Sequence, residues 1–301
     1  MNMPDLAARL CGFKPEAAGK AATVYRDLPS HEYHAMPELS ASQIHAINAR
    51  GLAAYRRERT QPRTSTEAMD LGTVVHSLLF GDASREVHVW SGADRRTKAG
   101  KDEYAEAVAV AINERKTLIK EADYIRAQSI ADAVRANPIV GPILDEPGNG
   151  ELSIVWPDAV LGVDCRARID WLADRTDAPI IDVKVVGSLP PSPRAWAYKA
   201  LGFGYHAQAD HYTDAVDAAG MGVRDFWFVL VCSEPPHEVA VFRFGEWARH
   251  LAASQRVKAA RMLTEAQLTG EYPERYAGRV FEVPQVPVDF DTNEEGSGEW
   301  D

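Results

Sequence analysis

The spacing of apolar residues follows two rhythms along this chain, and the change between them falls near Glu151. Residues 1–30 show neither rhythm and read as an N-terminal arm. A helix is expected to open at LSASQIHAI, where Ser40 and Gln43 have the spacing of a capping box. In EAMDLGTVVHSLLF, Leu71, Val74, Val75, Leu78 and Leu79 form one helical stripe. After the polar stretch SGADRRTKAGKDE, a long helical region is expected from about Tyr104 to Arg135, stopped by Asn137-Pro138. Beyond Glu151 the period drops to two. ELSIVW, the turn PDAVLG and VDCRARIDWL read as a β-hairpin, and the β-branched IIDVKVV reads as a third strand. A helical stretch from about Trp196 to Ala219 follows the Pro-rich LPPSP. FWFVLV and EVAVFRF are strands flanking the turn SEPPH, and a last helix covers about Glu246 to Leu268. Helices, a three-strand meander, a helix, two strands and a helix predict one α/β domain with a mixed sheet.

Composition narrows this picture little. Of 301 residues 46% are hydrophobic and 26% charged, ordinary values for a globular chain. No apolar run approaches the ~20 residues of a membrane span, and the N-terminus lacks the pattern of a signal peptide, so a cytoplasmic protein is expected. Cys11, Cys165 and Cys232 are scattered and form no CxxC pair, which points away from a disulfide framework and from zinc or iron–sulfur sites. The net charge of −11 argues weakly against nucleic acid. Six of those negative charges, however, lie in the last thirteen residues (Asp289, Asp291, Glu294, Glu295, Glu299 and Asp301), which contain no base. A mildly acidic body can bind DNA through a local basic groove, because phosphate responds to nearby charge. The tail from 288 to 301 is expected to be acidic and disordered.

Chemistry concentrates on the middle strands. Along Val163 to Trp171, alternation places Val163, Cys165, Ala167, Ile169 and Trp171 on one apolar face. Asp164, Arg166, Arg168 and Asp170 fall on the other, which is wholly charged. On the next strand Asp182 and Lys184 share a face, opposite Ile181, Val183 and Val185. Charges in the middle of a sheet are costly unless they pair or bind an ion. An exposed face laced with salt bridges would give the same pattern. Tyr205, Gln208, Ala209, Tyr212, Val216 and Ala219 lie on one helical stripe. Gln208 and Tyr212, one turn apart, either satisfy each other or reach into a cleft. His76 lies beside the Val75 and Leu79 stripe with Gly72 one turn earlier, clearing room above the ring; a packed or solvated histidine is the alternative. Arg95, Arg96, Lys98 and Lys101 cluster in a Gly-containing loop that suits phosphate or plain solvent.

Taken in order, LGTVVH, GELSIVW, CRARID, IIDVK and QADHY resemble the RecB-like branch of the PD-(D/E)xK nucleases. Together with YHAMPELSAS and DRRTKAGKDEY, they most resemble the RecE-type (exonuclease VIII) phage and prophage exonucleases, over about His31 to Phe244. The resemblance implies a restriction-endonuclease-like α/β core, a mixed β-sheet flanked by helices in a single domain spanning 31–287. It makes Asp170 and Asp182 acidic metal ligands, joined by His76 and the backbone carbonyl of Val183. Hard oxygens with one imidazole suit Mg²⁺, with Mn²⁺ as a substitute. Lys184 would hold and help deprotonate the attacking water and face the phosphate charge. Glu151 matches a further acid near the site, and Gln208 and Tyr212 would contact the scissile strand or position Lys184 and the water. Arg166 and Arg168, on the face of Asp170, would meet the DNA backbone or a terminal 5′-phosphate, and Arg95, Arg96 and Lys98 would meet other phosphates. Ser40 and Ser42 match positions that touch phosphate, although helix capping also explains them. Ile181 stands where other branches carry proline.

The activity implied is a metal-dependent exodeoxyribonuclease acting on linear duplex DNA with 5′-to-3′ polarity. A homo-oligomeric ring around DNA ends and a single-strand annealing protein as recombination partner come with it, in the cytoplasm of a bacterial host. Other readings are a single-strand or structure-specific endonuclease of the same branch and a non-catalytic DNA-end-binding scaffold. The intact Asp170, Asp182 and Lys184 set speaks against the last, and three cysteines are too few for the iron–sulfur members.

Overall fold

The computed structural model describes residues 21–61, 65–190, 192–278 and 280–282. The acidic tail at 288–301 and the first twenty residues of the expected arm lie outside them. In chain order the elements are β1 (Thr23–Tyr25), α1 (Ser30–Ala35), α2 (Ala41–Arg50), α3 (Leu52–Thr60), α4 (Glu67–Phe80), α5 (Ala83–Glu86), β2 (Val87–Trp90) and α6 (Lys98–Glu114). They continue as β3 (Thr117–Lys120), α7 (Glu121–Ala136), α8 (Gly141–Leu144), β4 (Gly148–Asp158), β5 (Val163–Ala173), β6 (Ile180–Val186) and α9 (Pro193–Gly202). The chain closes with α10 (Tyr205–Ala218), β7 (Phe226–Cys232), β8 (Val239–Phe242) and α11 (Glu246–Thr269). Among the described residues no helix is long and apolar enough to cross a membrane.

The main sheet has the order β1-β4-β5-β6-β7-β8, antiparallel except for the parallel β6–β7 pair. Two apolar layers cover it. On one face Ile44, Ile47, Trp196, Val216 and Leu263 pack on Ile154, Ile169, Ile180, Phe228 and Leu230. On the other, Val74 and Val75 of α4 and Ile130 and Val134 of α7 pack on Ile181, Val183, Val229 and Val231. A mixed sheet flanked by helices is therefore the architecture, as the sequence predicts.

Three element assignments change. Thr23–Tyr25 is not part of a free arm: it pairs antiparallel with Ser153–Val155 as an edge strand. The helix expected from Tyr104 to Arg135 is two helices, separated where Arg115 turns left-handed (φ 56) and Thr117–Lys120 pairs in parallel with Val87–Trp90. The stretch from Trp196 to Ala219 also divides. Gly204 (φ +73) ends one helix and starts the next, and a Cβ there would fall 2.4 Å from His45 Nδ1. Only glycine fits that turn.

What positions the site is a gap between β5 and β6. They pair only at Trp171↔Ile181 and Leu172↔Ile180, whereas β6 and β7 pair along all of β6. Past Ile181 a side chain replaces the ladder, since Asp170 Oδ2 accepts from the Val183 N–H at 2.9 Å. Farther along, Leu39 takes the vacated edge, donating its N–H to Asp164 O and accepting from Arg166 N–H, both at 3.0 Å. The strict alternation expected along β5 also fails at this point. Ile169 packs in one layer, but Trp171 packs in the other, stacked at 6.3 Å from Phe80 and donating to Ile143 O at 3.1 Å. Opposite Asp170, Glu151 takes φ 49, a left-handed conformation costing about 1 kcal/mol in a non-glycine residue. The two strands change phase together, and the carboxylates sit at the change.

Candidate active site

Five elements meet at this gap. β5 supplies Asp170 (8% exposed), β6 supplies Asp182 (1%) and Lys184, β4 supplies Glu151, and α4 and α10 approach from opposite faces with His76 and Gln208. The Lys184 ammonium lies 2.5 Å from Asp182 Oδ2. Gln208 Nε2 donates to Asp182 Oδ1 at 2.6 Å, so its amide serves the carboxylate and not the Tyr212 hydroxyl. Oδ2 is buried and has no hydrogen-bond donor besides the ammonium contact. On the other side, His76 Nδ1 stands 3.5 Å from Asp170 Oδ2 and 3.8 Å from Glu151 Oε1, while Nε2 donates to Val183 O at 2.8 Å. Glu151 is also 3.5 Å from Arg168 Nη1.

The charges hold one another's protonation. Burial lowers the imidazolium form of His76, but the Asp170 and Glu151 carboxylates outweigh it and raise His76 to about 9. Burial and the neighbouring Asp182 and Glu151 charges push Asp170 above the carboxylate range, against the pull of His76 and Lys184. Burial acts to raise Glu151, but His76 and Arg168 hold it below the usual range. Burial likewise disfavours the Lys184 ammonium, and Asp182 and Asp170 overcome this, so Lys184 is raised and stays charged. Burial, with Tyr33 and the Asp182 and Asp170 charges nearby, pushes the Tyr212 hydroxyl well above its ordinary value. Tyr212 therefore faces the site as a neutral phenol.

His76, Glu151 and Asp170 each offer a ligand atom to one point, with these atoms within 4.8 Å of one another. Ligands around a small six-coordinate cation at ~2.1 Å stand roughly 3 to 4.2 Å apart, and the 3.5 and 3.8 Å separations fall in that range. The donors are hard oxygens and one imidazole whose other nitrogen is fixed by a backbone carbonyl, an arrangement that orients metal-binding histidines. The residues fit a divalent cation. Glu151, expected only as a nearby acid, is in this cluster. Asp182 sits beside it under Lys184 and Gln208, and the Val183 carbonyl is engaged by His76.

Of the other expected residues only Arg168 reaches this cluster, through Glu151. Arg166 is 3% exposed and donates through Nη1 to Met36 O. Arg168 donates to Leu28 O and, at 3.0 Å, to Ser153 Oγ. Both lie over the Tyr33 ring, at 5.0 and 4.6 Å. As placed they fasten the incoming segment to β5 and do not present guanidinium groups to solvent. Arg95 lies over Tyr104 at 4.6 Å, and Arg96 pairs with Asp94 at 2.9 Å in its own loop. Lys98 opens α6, and none of these three touches the carboxylates. Ser40 caps α2, with its N–H bonded to Gln43 Oε1 at 3.0 Å, and its hydroxyl lies 3.1 Å from that of Ser42. Gly72 has no atom within 4 Å of where a Cβ would stand, so room for the His76 ring does not depend on it.

Tyr33 and Tyr205 received no role from the sequence. The Lys184 ammonium lies 5.2 Å from the Tyr205 ring centroid. Tyr205's place one turn before Gln208 was a usable signal; Tyr33 is brought in only by long-range packing.

A mixed sheet whose adjoining strands present Asp170 and the pair Asp182 and Lys184, with Glu151 beside them, defines a PD-(D/E)xK-type nuclease fold. The chain belongs to the family described as PDDEXK-like domain of unknown function (DUF3799), whose profile matches residues 40–280. It is also similar in fold to a crystal structure from Eubacterium rectale titled "Putative exonuclease". That likeness has a TM-score of 0.58 and 12% sequence identity, and covers 89% of this chain and 99% of the other. No curated protein matches the sequence.

Proposed function

We propose that this protein is a Mg²⁺-dependent exodeoxyribonuclease that degrades one strand of linear duplex DNA from the 5′ end, Mn²⁺ serving as well. The observation that carries the catalytic part is the meeting of Asp170, Glu151 and His76 with the Asp182–Lys184 pair at the β5–β6 gap. The exonucleolytic part rests on the RecE-like motif order and is supported by the description of the Eubacterium rectale protein. From the same resemblance come a ring-shaped homo-oligomer enclosing DNA, a single-strand annealing partner and a place in the bacterial cytoplasm.

In the mechanism, His76 Nδ1, Glu151 and Asp170 would hold the ion, while the buried Asp182 Oδ2 holds the Lys184 ammonium beside them. Such an ion lowers the pKa of bound water and draws charge from the phosphate oxygens. Lys184, kept charged by Asp182 and Asp170, orients the attacking water and meets the charge that grows on phosphate. Taking the water's proton, the other role expected of Lys184, would first require the ammonium to give up a proton, which its pairing with Asp182 opposes. Gln208 fixes Asp182, and through it Lys184. Tyr212, a neutral phenol, would contact the scissile strand or help position the water.

The test is digestion of linear duplex DNA labelled at the 5′ or 3′ end, with Mg²⁺ or EDTA, beside closed circular DNA. Early loss of the 5′ label from linear DNA only, dependent on Mg²⁺, is expected. Lys184→Ala should reduce the rate by at least ~100-fold, the scale for removing one charge-stabilising donor. Cleaved circles would favour an endonuclease, and inert folded protein would leave an end-binding scaffold.

A further inference from the structure

The turn between α9 and α10 does more than connect helices. Gly204 is fixed there by its positive φ and by His45, and the turn leaves Phe203 facing outward, 53% exposed. Phe203 packs at 5.5 Å from Tyr205, whose ring lies 5.2 Å from the Lys184 ammonium. Tyr205 is itself held from behind, stacked on Phe228 at 5.3 Å and against Trp196 at 5.6 Å. An aromatic surface thus runs from solvent to the lysine of the site on a rigid backing. Its charge is also distinctive. Between Asp182 and Asp210 the chain carries Lys184, Arg194 and Lys199 and no acid, although the whole protein has net charge −11. Arg194 lies over the exposed Tyr198 ring at 5.9 Å on the same helix.

We infer that Phe203, backed by Tyr205, is a stacking platform for an unpaired nucleobase beside the phosphate that faces Lys184. This rests on the nuclease reading above. An aromatic face accepts any base, and the acid-free stretch around it suits the strand's phosphates. The platform selects a terminal nucleotide that has left its duplex partner, and so favours ends and single strands over closed duplex.

The test places 2-aminopurine as an unpaired terminal base on a linear duplex and titrates protein in EDTA, where no cleavage is expected. The wild type should quench its fluorescence. Phe203→Ala and Phe203→Leu should lose the quench and bind the end about tenfold more weakly, within the range for losing one stacked base. Phe203→Trp should restore both. Thermal melting checks that the exposed substitutions leave the fold intact. Equal quenching by the Leu or Ala protein overturns the platform; if the wild type still digests linear DNA with Mg²⁺, the nuclease reading stands without it. A wild type that neither cleaves nor quenches overturns both, whereas Phe203-dependent quenching without cleavage supports the platform and removes only catalysis.

Discussion

At His76 a proton and a cation compete for the same nitrogen. Its two nitrogens have different tasks: Nε2–H is held by Val183 O, and Nδ1 looks toward Asp170 and Glu151. Without an ion those carboxylates hold a proton on the ring up to about pH 9. The raised value means that this pairing stabilises the metal-free fold fully below about 6.5, the ordinary value of a histidine, and that the contribution is lost as pH rises through about 9. Ion binding runs the other way, because the ligand must be deprotonated. Mn²⁺ affinity is expected to rise toward about pH 9, by up to about tenfold per unit for one displaced proton. Calorimetry in two buffers of different ionisation heat should show proton release at pH 7.5, and His76→Ala should reduce both affinity and release. Affinity that is flat from pH 6.5 to 9 would remove His76 from the ligand set.

The elements around the gap explain which parts of the site were legible in the sequence. Asp170, Asp182 and Lys184 could be read because strand alternation is local, and IIDVKVV shows its charged and apolar faces within seven residues. The partners of Arg166 and Arg168 could not, since the carbonyls of Met36 and Leu28 lie 130 and 140 residues away. Strand β3 was hidden for the same reason: KTLIK reads as helix until Val87–Trp90 is set beside it. At the phase change β4 passes close under α4, for a Cβ on Gly150 would fall 2.2 Å from Phe80 O at the end of that helix. Backbone cannot yield as a side chain tip can. Gly150→Ala should therefore push α4, and His76 with it, away from Glu151, destabilising the fold by about 1–3 kcal/mol. Mn²⁺ binding should weaken together with stability. Gly72→Ala on the same helix meets open space and should gain up to ~1 kcal/mol from helix propensity. Urea unfolding and Mn²⁺ titration of the two proteins check this; a Gly150→Ala protein with normal stability and binding would mean that this close approach does not fix the place of α4.

At the scale of the molecule, the site depends on helices that are themselves tied together by one buried cation. Arg256 of α11 is 4% exposed, donating through Nη2 to Asp158 Oδ2 at 2.8 Å and through Nη1 to Asp210 Oδ2 at 2.6 Å and to Asp214. These acids belong to the end of β4 and to α10, so the guanidinium joins the long C-terminal helix to the sheet and to the helix carrying Gln208. Despite burial, the three carboxylates raise Arg256 above its ordinary value, and it is charged at any working pH. Removing it leaves Asp158 and Asp210 buried without a counter-charge, a loss on the order of 3–5 kcal/mol for a broken buried pair. Arg256→Met keeps the apolar stem and should still lose stability on that scale in urea. Asp214→Asn, at the half-exposed end of the network, should cost under about 1 kcal/mol. Because α10 is anchored through the same charge, Gln208 and then Asp182 should loosen before global unfolding. Arg256→Met is accordingly expected to lose nuclease rate at temperatures where its circular dichroism is still native. Loss of rate only in step with unfolding would mean that Arg256 holds the core alone and that the site is positioned by the sheet.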